Sequence, residues 1–218
     1  PLDRTSFRLG DRQFSENRFF FVDPDFFEVF GFKLLSGDQS TALRDPYTMV
    51  ISETTANRYF GDSNPVGKTL EWRDKQMTVT GVVEDPPEHS HFHFDFLASL
   101  TVAQQEFEPP VLENWGEGTS FTYLVFPVGV NPTGVEAEFP GFVEKNVQEG
   151  ASERLRLWLM PLTDIHLYAH TDWEIEQNGD MSYVYSFAII AVFILLIACI
   201  NFMNLATARA ARRSKEVG

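Results

Sequence analysis

Residues 181–208 carry no charge over 28 positions, and the middle of that run, FAIIAVFILLIACI at 187–200, is wholly apolar. Few features narrow a fold so much, because a helix that is apolar all round must be buried in a large core or in a bilayer. The flanks choose the bilayer. Tyr183 and Tyr185 stand where an interfacial aromatic belt belongs, and RAARRSK follows at the other end. A helix over 183–205 rises roughly 34 Å at 1.5 Å per residue, enough to cross the hydrocarbon layer. The basic cluster sets the direction by the positive-inside rule. Residues 1–182 are thus expected outside the cytoplasm, 183–208 in the membrane, and 209–218 at the start of a cytoplasmic segment. The chain opens at Pro1 with no initiator Met and no signal peptide, so it is expected to be a piece of a longer protein with an earlier span. Asn201 and Asn204, three apart, share a helix face near the basic end. Such amides serve as interhelical hydrogen-bond partners, with a transport pathway as the sharper alternative. Ala206, Ala208, Ala210 and Ala211 suit close helix packing.

Charge is unevenly spread. Four of the 17 basic residues but one of the 31 acidic residues lie in the last ten positions, which leaves residues 1–208 with a formal charge of −17. That surface repels nucleic acid and anionic head groups, so a nucleic-acid partner is excluded. The single cysteine, Cys199, forbids an intrachain disulfide. The 21 phenylalanines and a 44% apolar share are ample for a packed core.

Ahead of the span, strands and helices alternate. RFFFV at 18–22 reads as a buried strand. DPDFFEVFG then places Phe26, Phe27 and Phe30 at helical spacing before Gly31. MVIS at 49–52 is a strand whose Ser52 can cap a helix over 53–60, with Glu53 at the positive end of its dipole and Gly61 as the stop. NPVGKTL at 64–70 turns into a strand. Gly67-Lys68-Thr69 mimics the tail of a phosphate-binding loop, but Asp62 stands where that loop needs glycine, which argues against ATP binding here. QMTVTGVVED at 76–85 is a strand stopped by Pro86-Pro87. SFTYLVF at 120–126 alternates as a strand. Val135, Phe139, Phe142 and Val143 mark an amphipathic helix that Pro140 kinks or splits. ERLRLWLM at 153–160 alternates as another strand. The expected fold is mixed α/β: an extracytoplasmic core of two subdomains built from strand-helix-strand units, then one transmembrane helix.

HSHFHFDF at 89–96 is the one constellation that invites chemistry. As a strand, it puts Phe92, Phe94 and Phe96 on one face and His91, His93 and Asp95 on the other; the aromatic face goes inward. Residues at i and i+2 lie roughly 6.6 Å apart, so two imidazoles could share a zinc ion, whereas the ends of an i, i+4 pair cannot. At most two of His89, His91 and His93 can therefore share an ion, with further ligands from elsewhere; His91 and His93 are the metal candidates, and solvent-facing histidines are the default. His166 and His170 have helical spacing in a stretch that is not clearly helical. No catalytic residue emerges: the only Cys is in the span, and there is no Gly-x-Ser-x-Gly. No cofactor is expected on this chain.

MVISETTANRYFGDSNPVGKTL, MTVTGVVEDPPEHSHFHFDF and ACINFMNLATARAARRSKEVG resemble, in order, successive blocks of ABC-transporter permeases of the MacB/FtsX type. The first two resemble the MacB-like periplasmic core domain. The last resembles the start of the FtsX-like permease domain. The motif-like positions are Asn64, Pro65, Gly67, Lys68, Ser90 and His91. The resemblance implies a permease subunit in the inner membrane with residues 1–182 in the periplasm, and residues 49–118 as an inserted lobe. It also implies a second permease copy or paralogue, a cytoplasmic ABC ATPase that holds the ATP and Mg, contact with membrane lipid, and room for a periplasmic partner. The chain itself would not be an enzyme; it would couple ATP hydrolysis to motion outside the cytoplasm, for export, extrusion or lipoprotein handling. A sensor domain of a signalling receptor and a metal-binding periplasmic module are the alternatives from other classes.

Overall fold

A computed structural model describes residues 4–107, 120–169, 171 and 174–217. The elements run β1 (Thr5–Leu9), β2 (Arg12–Glu16), β3 (Phe19–Val22), α1 (Phe26–Phe30), β4 (Leu34–Gly37), β5 (Thr48–Ser52), α2 (Glu53–Phe60), β6 (Thr69–Trp72), β7 (Lys75–Val83), β8 (Phe96–Ser99) and α3 (Leu100–Glu106). Then come α4 (Pro132–Glu136), α5 (Phe139–Asn146), α6 (Ile165–Tyr168) and α7 (Met181–Val217). The chain divides into two compact units, Pro1–Leu159 and Met160–Gly218.

The first unit is built on one mixed eight-stranded sheet in the order β2-β1-β6-β7-β5-β8-β3, with β4 paired to β7 off that path. The nine-residue β7 is its spine. Its first half pairs with β6 and its last residues with β4 on one edge, while β5 runs parallel along the other. The sheet curls strongly. Phe7 of β1 stacks on Phe96 of β8 at 4.5 Å and meets Phe19 of β3 edge-on at 5.3 Å, although these strands are far apart in the ladder order. Twist accumulated over the intervening strands brings the two ends together. Phe7, Phe19, Trp72 and Phe96 are fully buried there, and each contributes the largest apolar area a side chain can offer. A second aromatic cluster, Phe26, Phe32, Phe92 and Phe94, lies under α1.

Strands on either side of Met49 share this sheet, so the sheet itself draws no line at the start of the expected 49–118 lobe. Two local expectations are realised closely. Ser52 accepts from the Thr55 amide at 3.3 Å and caps α2. The 135–143 pattern splits into α4 and α5, with Pro140 in the first turn of α5, where its missing N–H costs nothing.

Three expected strands are not formed. Residues 89–95, 120–126 and 154–160 are extended or irregular and join no ladder. For the histidine stretch the reason is geometric. β8 pairs with β5 only back to Phe96, because β5 ends at Ser52 where α2 begins. β3 likewise meets β8 no earlier than Phe19. Upstream of Asp95 no strand among the described residues pairs with the segment. The faces follow the alternation all the same: Phe92, Phe94 and Phe96 are buried, and His91, His93 and Asp95 are half-buried.

The second unit begins with a short 3-10 turn, Leu162–Asp164, and α6. His166 lies on α6, and Gly179 packs against it. His170 lies outside the described residues. Helix α7 follows and includes one stretch, Met181–Ala210, long and apolar enough to cross a membrane, with its apolar window wholly unburied in this chain.

Candidate functional site

The histidine segment is shaped by its ends. Pro86-Pro87 stops β7, and the Ser90 amide donates to the Pro87 carbonyl at 2.8 Å, closing a turn. Beyond it, Phe92 and Phe94 drop into the aromatic cluster under α1, with Phe94 1% exposed. That leaves His91 and His93 pointing elsewhere, and to different partners. His91 Nε2 and the Tyr123 hydroxyl share a hydrogen bond of 2.7 Å. His93 Nε2 lies 3.1 Å from the Pro87 carbonyl oxygen. The two rings thus have different hydrogen-bond partners, and among the described residues no three His, Cys, Asp or Glu side chains gather as a metal would need.

Tyr123 is the residue sequence reasoning missed here. Its ring packs edge-on to Phe30 of α1 at 4.8 Å, beside His91. It fastens the 120–127 segment to α1 and to the histidine segment. No sequence signal marks it, since its partners Phe30, His91 and Phe92 are all distant in sequence.

The Asn64–Lys68 turn is structural in its contacts. Asn64 Oδ1 accepts from the Val66 amide at 3.0 Å, and the Lys68 amide donates to the Pro65 carbonyl at 3.0 Å. Gly67 takes φ +85°, as the third position of such a turn requires. Its amide then donates to Val79 at 2.8 Å, which sets the register of β6 on β7. Lys68 lays its ammonium over the Phe60 ring at 5.0 Å. These four residues therefore join α2 to the sheet.

Charge is organised around two carboxylates. Glu16, at the end of β2, is 4% exposed, accepts the Tyr59 hydroxyl at 2.6 Å, and pairs with Arg58 at 3.0 Å. Arg58 also lies 4.0 Å from Asp95. Burial and the bond to Glu16 push the Tyr59 hydroxyl far above its ordinary range, so it stays a donor. This network pins α2 to β2 and to the end of the histidine segment. At the other end of the sheet, Glu106 accepts from Tyr47 at 2.5 Å and pairs with Lys75 at 3.3 Å. The Tyr47 hydroxyl holds the Glu106 carboxyl below the usual range. Next to it, Arg73 lies 5.0 Å over both Trp72 and Phe107. Arg73 and Asp74 both have positive φ, forming the two-residue tip of the β6–β7 hairpin.

Asn201 and Asn204 are exposed on α7, within its apolar stretch. The arrangement offers a cross-braced unit and an apolar helix in a single chain.

Comparison with known proteins fits this description. The family model described as MacB-like periplasmic core domain matches residues 3–141. The macrolide export ATP-binding/permease protein MacB of Neisseria gonorrhoeae is 35% identical over 66 residues, 29% of this chain and 10% of that protein. MacB of Neisseria meningitidis matches to the same extent. The chain thus aligns with about a tenth of the length of these curated relatives. The crystal structure of the periplasmic region of MacB from Actinobacillus actinomycetemcomitans superposes with a TM-score of 0.52 at 16% identity, covering 74% of this chain and 69% of that one.

Proposed function

The chain belongs to the family of MacB-like periplasmic core domains, and from that premise we propose that it is the moving extracytoplasmic part, with one membrane span, of an ABC-transporter permease. In this reading residues 1–182 lie in the periplasm and α7 crosses the inner membrane with Arg209 on the cytoplasmic side. A cytoplasmic ABC ATPase holds ATP and Mg, and its cycle drives motion of the domain for export, extrusion or lipoprotein handling. The chain is not itself an enzyme. A second permease copy or paralogue completes the transporter, the helix that starts at Met181 begins an FtsX-like membrane domain, and a periplasmic partner can engage the domain. The observation that carries the reading is the joining, in one chain, of a braced core domain of this family to a long helix whose apolar surface the chain does not bury. Asn201 and Asn204 then serve contacts with neighbouring spans.

The test is a distance measurement. Spin labels at Ser63, exposed in the turn after α2, on the two copies of a reconstituted transporter report their separation by pulsed electron resonance. A shift on adding ATP, reversed on hydrolysis, is expected. A separation indifferent to nucleotide, in a preparation that hydrolyses ATP, refutes the coupling role.

A further inference from the structure

Helix α7 does not stop where its apolar surface stops. The apolar stretch ends at Ala210, and the same helix runs on to Val217. Arg209, next to the last residue of that stretch, and Arg212 and Arg213 on the continuation are exposed, and at i, i+3 and i+4 they form one face. The ion pairs among the described residues use Arg8, Arg58 and Lys75, not these three.

Depth decides what that face meets. With Tyr183 and Tyr185 at one interface, about 30 Å of hydrocarbon counted from Tyr185 ends near Leu205, at 1.5 Å per residue. Arg209 then lies about 6 Å beyond the hydrocarbon and Arg213 about 12 Å beyond it. The polar headgroup layer is roughly 5–8 Å thick on each side. Guanidinium groups on flexible stems bend back by several ångströms toward the layer they prefer, so all three reach the plane of the lipid phosphates. Charge points the same way: the remainder of the chain, at −17 over residues 1–208, repels anions, while this end concentrates cations.

We propose that the Arg209–Arg212–Arg213 face binds the phosphate groups of anionic phospholipids in the adjoining leaflet. The proposal rests on the reading of α7 as a membrane span. Planar guanidiniums engage phosphate oxygens in pairs, which a point charge cannot do. Lys215 adds a fourth cation in sequence. The consequence is mechanical: a helix tied to lipid phosphates keeps its depth and passes movement along its axis instead of sliding.

The full-length protein, reconstituted in lipid nanodiscs, tests this with spin-labelled phosphatidylglycerol and phosphatidylcholine as probes. The wild type should prefer phosphatidylglycerol, with a preference that weakens as salt rises. Each arginine neutralised in R209Q/R212Q/R213Q should lower the relative association by about fivefold. The R209K/R212K/R213K variant keeps the charge but not the paired bonds, so it should fall between wild type and the glutamine variant, which guards against a glutamine variant that inserts poorly. An unchanged preference in the glutamine variant overturns the proposal. So does an intact lipid preference accompanied by loss of a co-purifying ATPase, which would place the arginines against protein. Abolition of the wild-type preference by inorganic phosphate would make the ligand free phosphate, not lipid, and also overturns it. Labelling of Cys199 in intact vesicles by a membrane-impermeant maleimide, read on its own peptide, would instead sink the span reading, whatever the lipids do.

Discussion

Replacing Glu16 by alanine should unlock α2 from the sheet, and the structure fixes the size of the effect. The carboxylate is 4% exposed and accepts the hydroxyl of Tyr59, itself 3% exposed. Alanine leaves that hydroxyl buried without a partner, which costs about 1–3 kcal/mol. Arg58 loses its pair too, but its side chain is 44% exposed and keeps Asp95 at 4.0 Å, so this adds at most about 1 kcal/mol. The total is about 1–4 kcal/mol, a large share of a stability of about 5–15 kcal/mol. Glu16→Gln keeps an acceptor for Tyr59 and should cost about 1 kcal/mol. The decisive variant is the double, Glu16→Ala with Tyr59→Phe. With the hydroxyl gone no donor is stranded, so the double should be no less stable than Glu16→Ala alone. Urea titrations of wild type, Glu16→Ala, Glu16→Gln, Tyr59→Phe and the double, followed by tryptophan fluorescence in which buried Trp72 reports the sheet, give the five midpoints at constant slope. Simple additivity of the two single losses refutes the argument, as does an alanine variant no weaker than glutamine.

Two further perturbations follow from the same geometry. Gly37→Ala would set a Cβ 2.3 Å from the backbone oxygen of Thr80, whereas at Gly81 the nearest atom is the mobile Cδ2 of Leu34 at 2.4 Å; Gly37→Ala should therefore lose more stability, by calorimetry, and open the β4–β7 pairing to amide exchange. The Tyr59 hydroxyl is held neutral in the fold by burial first and by Glu16 second, so its contribution is complete below the unfolded value of about pH 10 and is lost as pH rises above it. The stability difference between wild type and Tyr59→Phe should be flat from neutral pH to about pH 9.5 and then fall by about 1.4 kcal/mol per pH unit; a difference that stays flat to about pH 11.5 contradicts this.

What the sequence made legible was whatever is decided locally. The Ser52 cap, the stop at Gly61, the split at Pro140 and the charge-free run of α7 depend on residues within a few positions of each other, and each stands as the chemistry predicts. The β1–β2 hairpin was equally local and went unread: Gly10-Asp11 sits between alternating runs, with Gly10 at φ +59°. Strand identity proved different in kind. Alternation in 89–96 assigned the buried and half-buried sides rightly, yet a strand is defined by a neighbour, and β5 had already turned into α2.

The same distinction explains the site. Alternation around His91 and His93 allowed two imidazoles to share an ion, because spacing along one segment was all the sequence offered. The fold adds Tyr123 to one ring and the Pro87 carbonyl to the other. Tyr123 comes from a segment that also alternates without pairing. Two unpaired segments therefore meet through side chains, not a ladder: a histidine, a tyrosine and the rings of Phe30 and Phe92. Such a joint has no backbone register to break, so it can yield to a shift of one segment while the curled sheet beside it stays whole. In the transporter role proposed above, stiffness comes from the sheet and the Glu16 brace, and compliance is left to contacts of this kind.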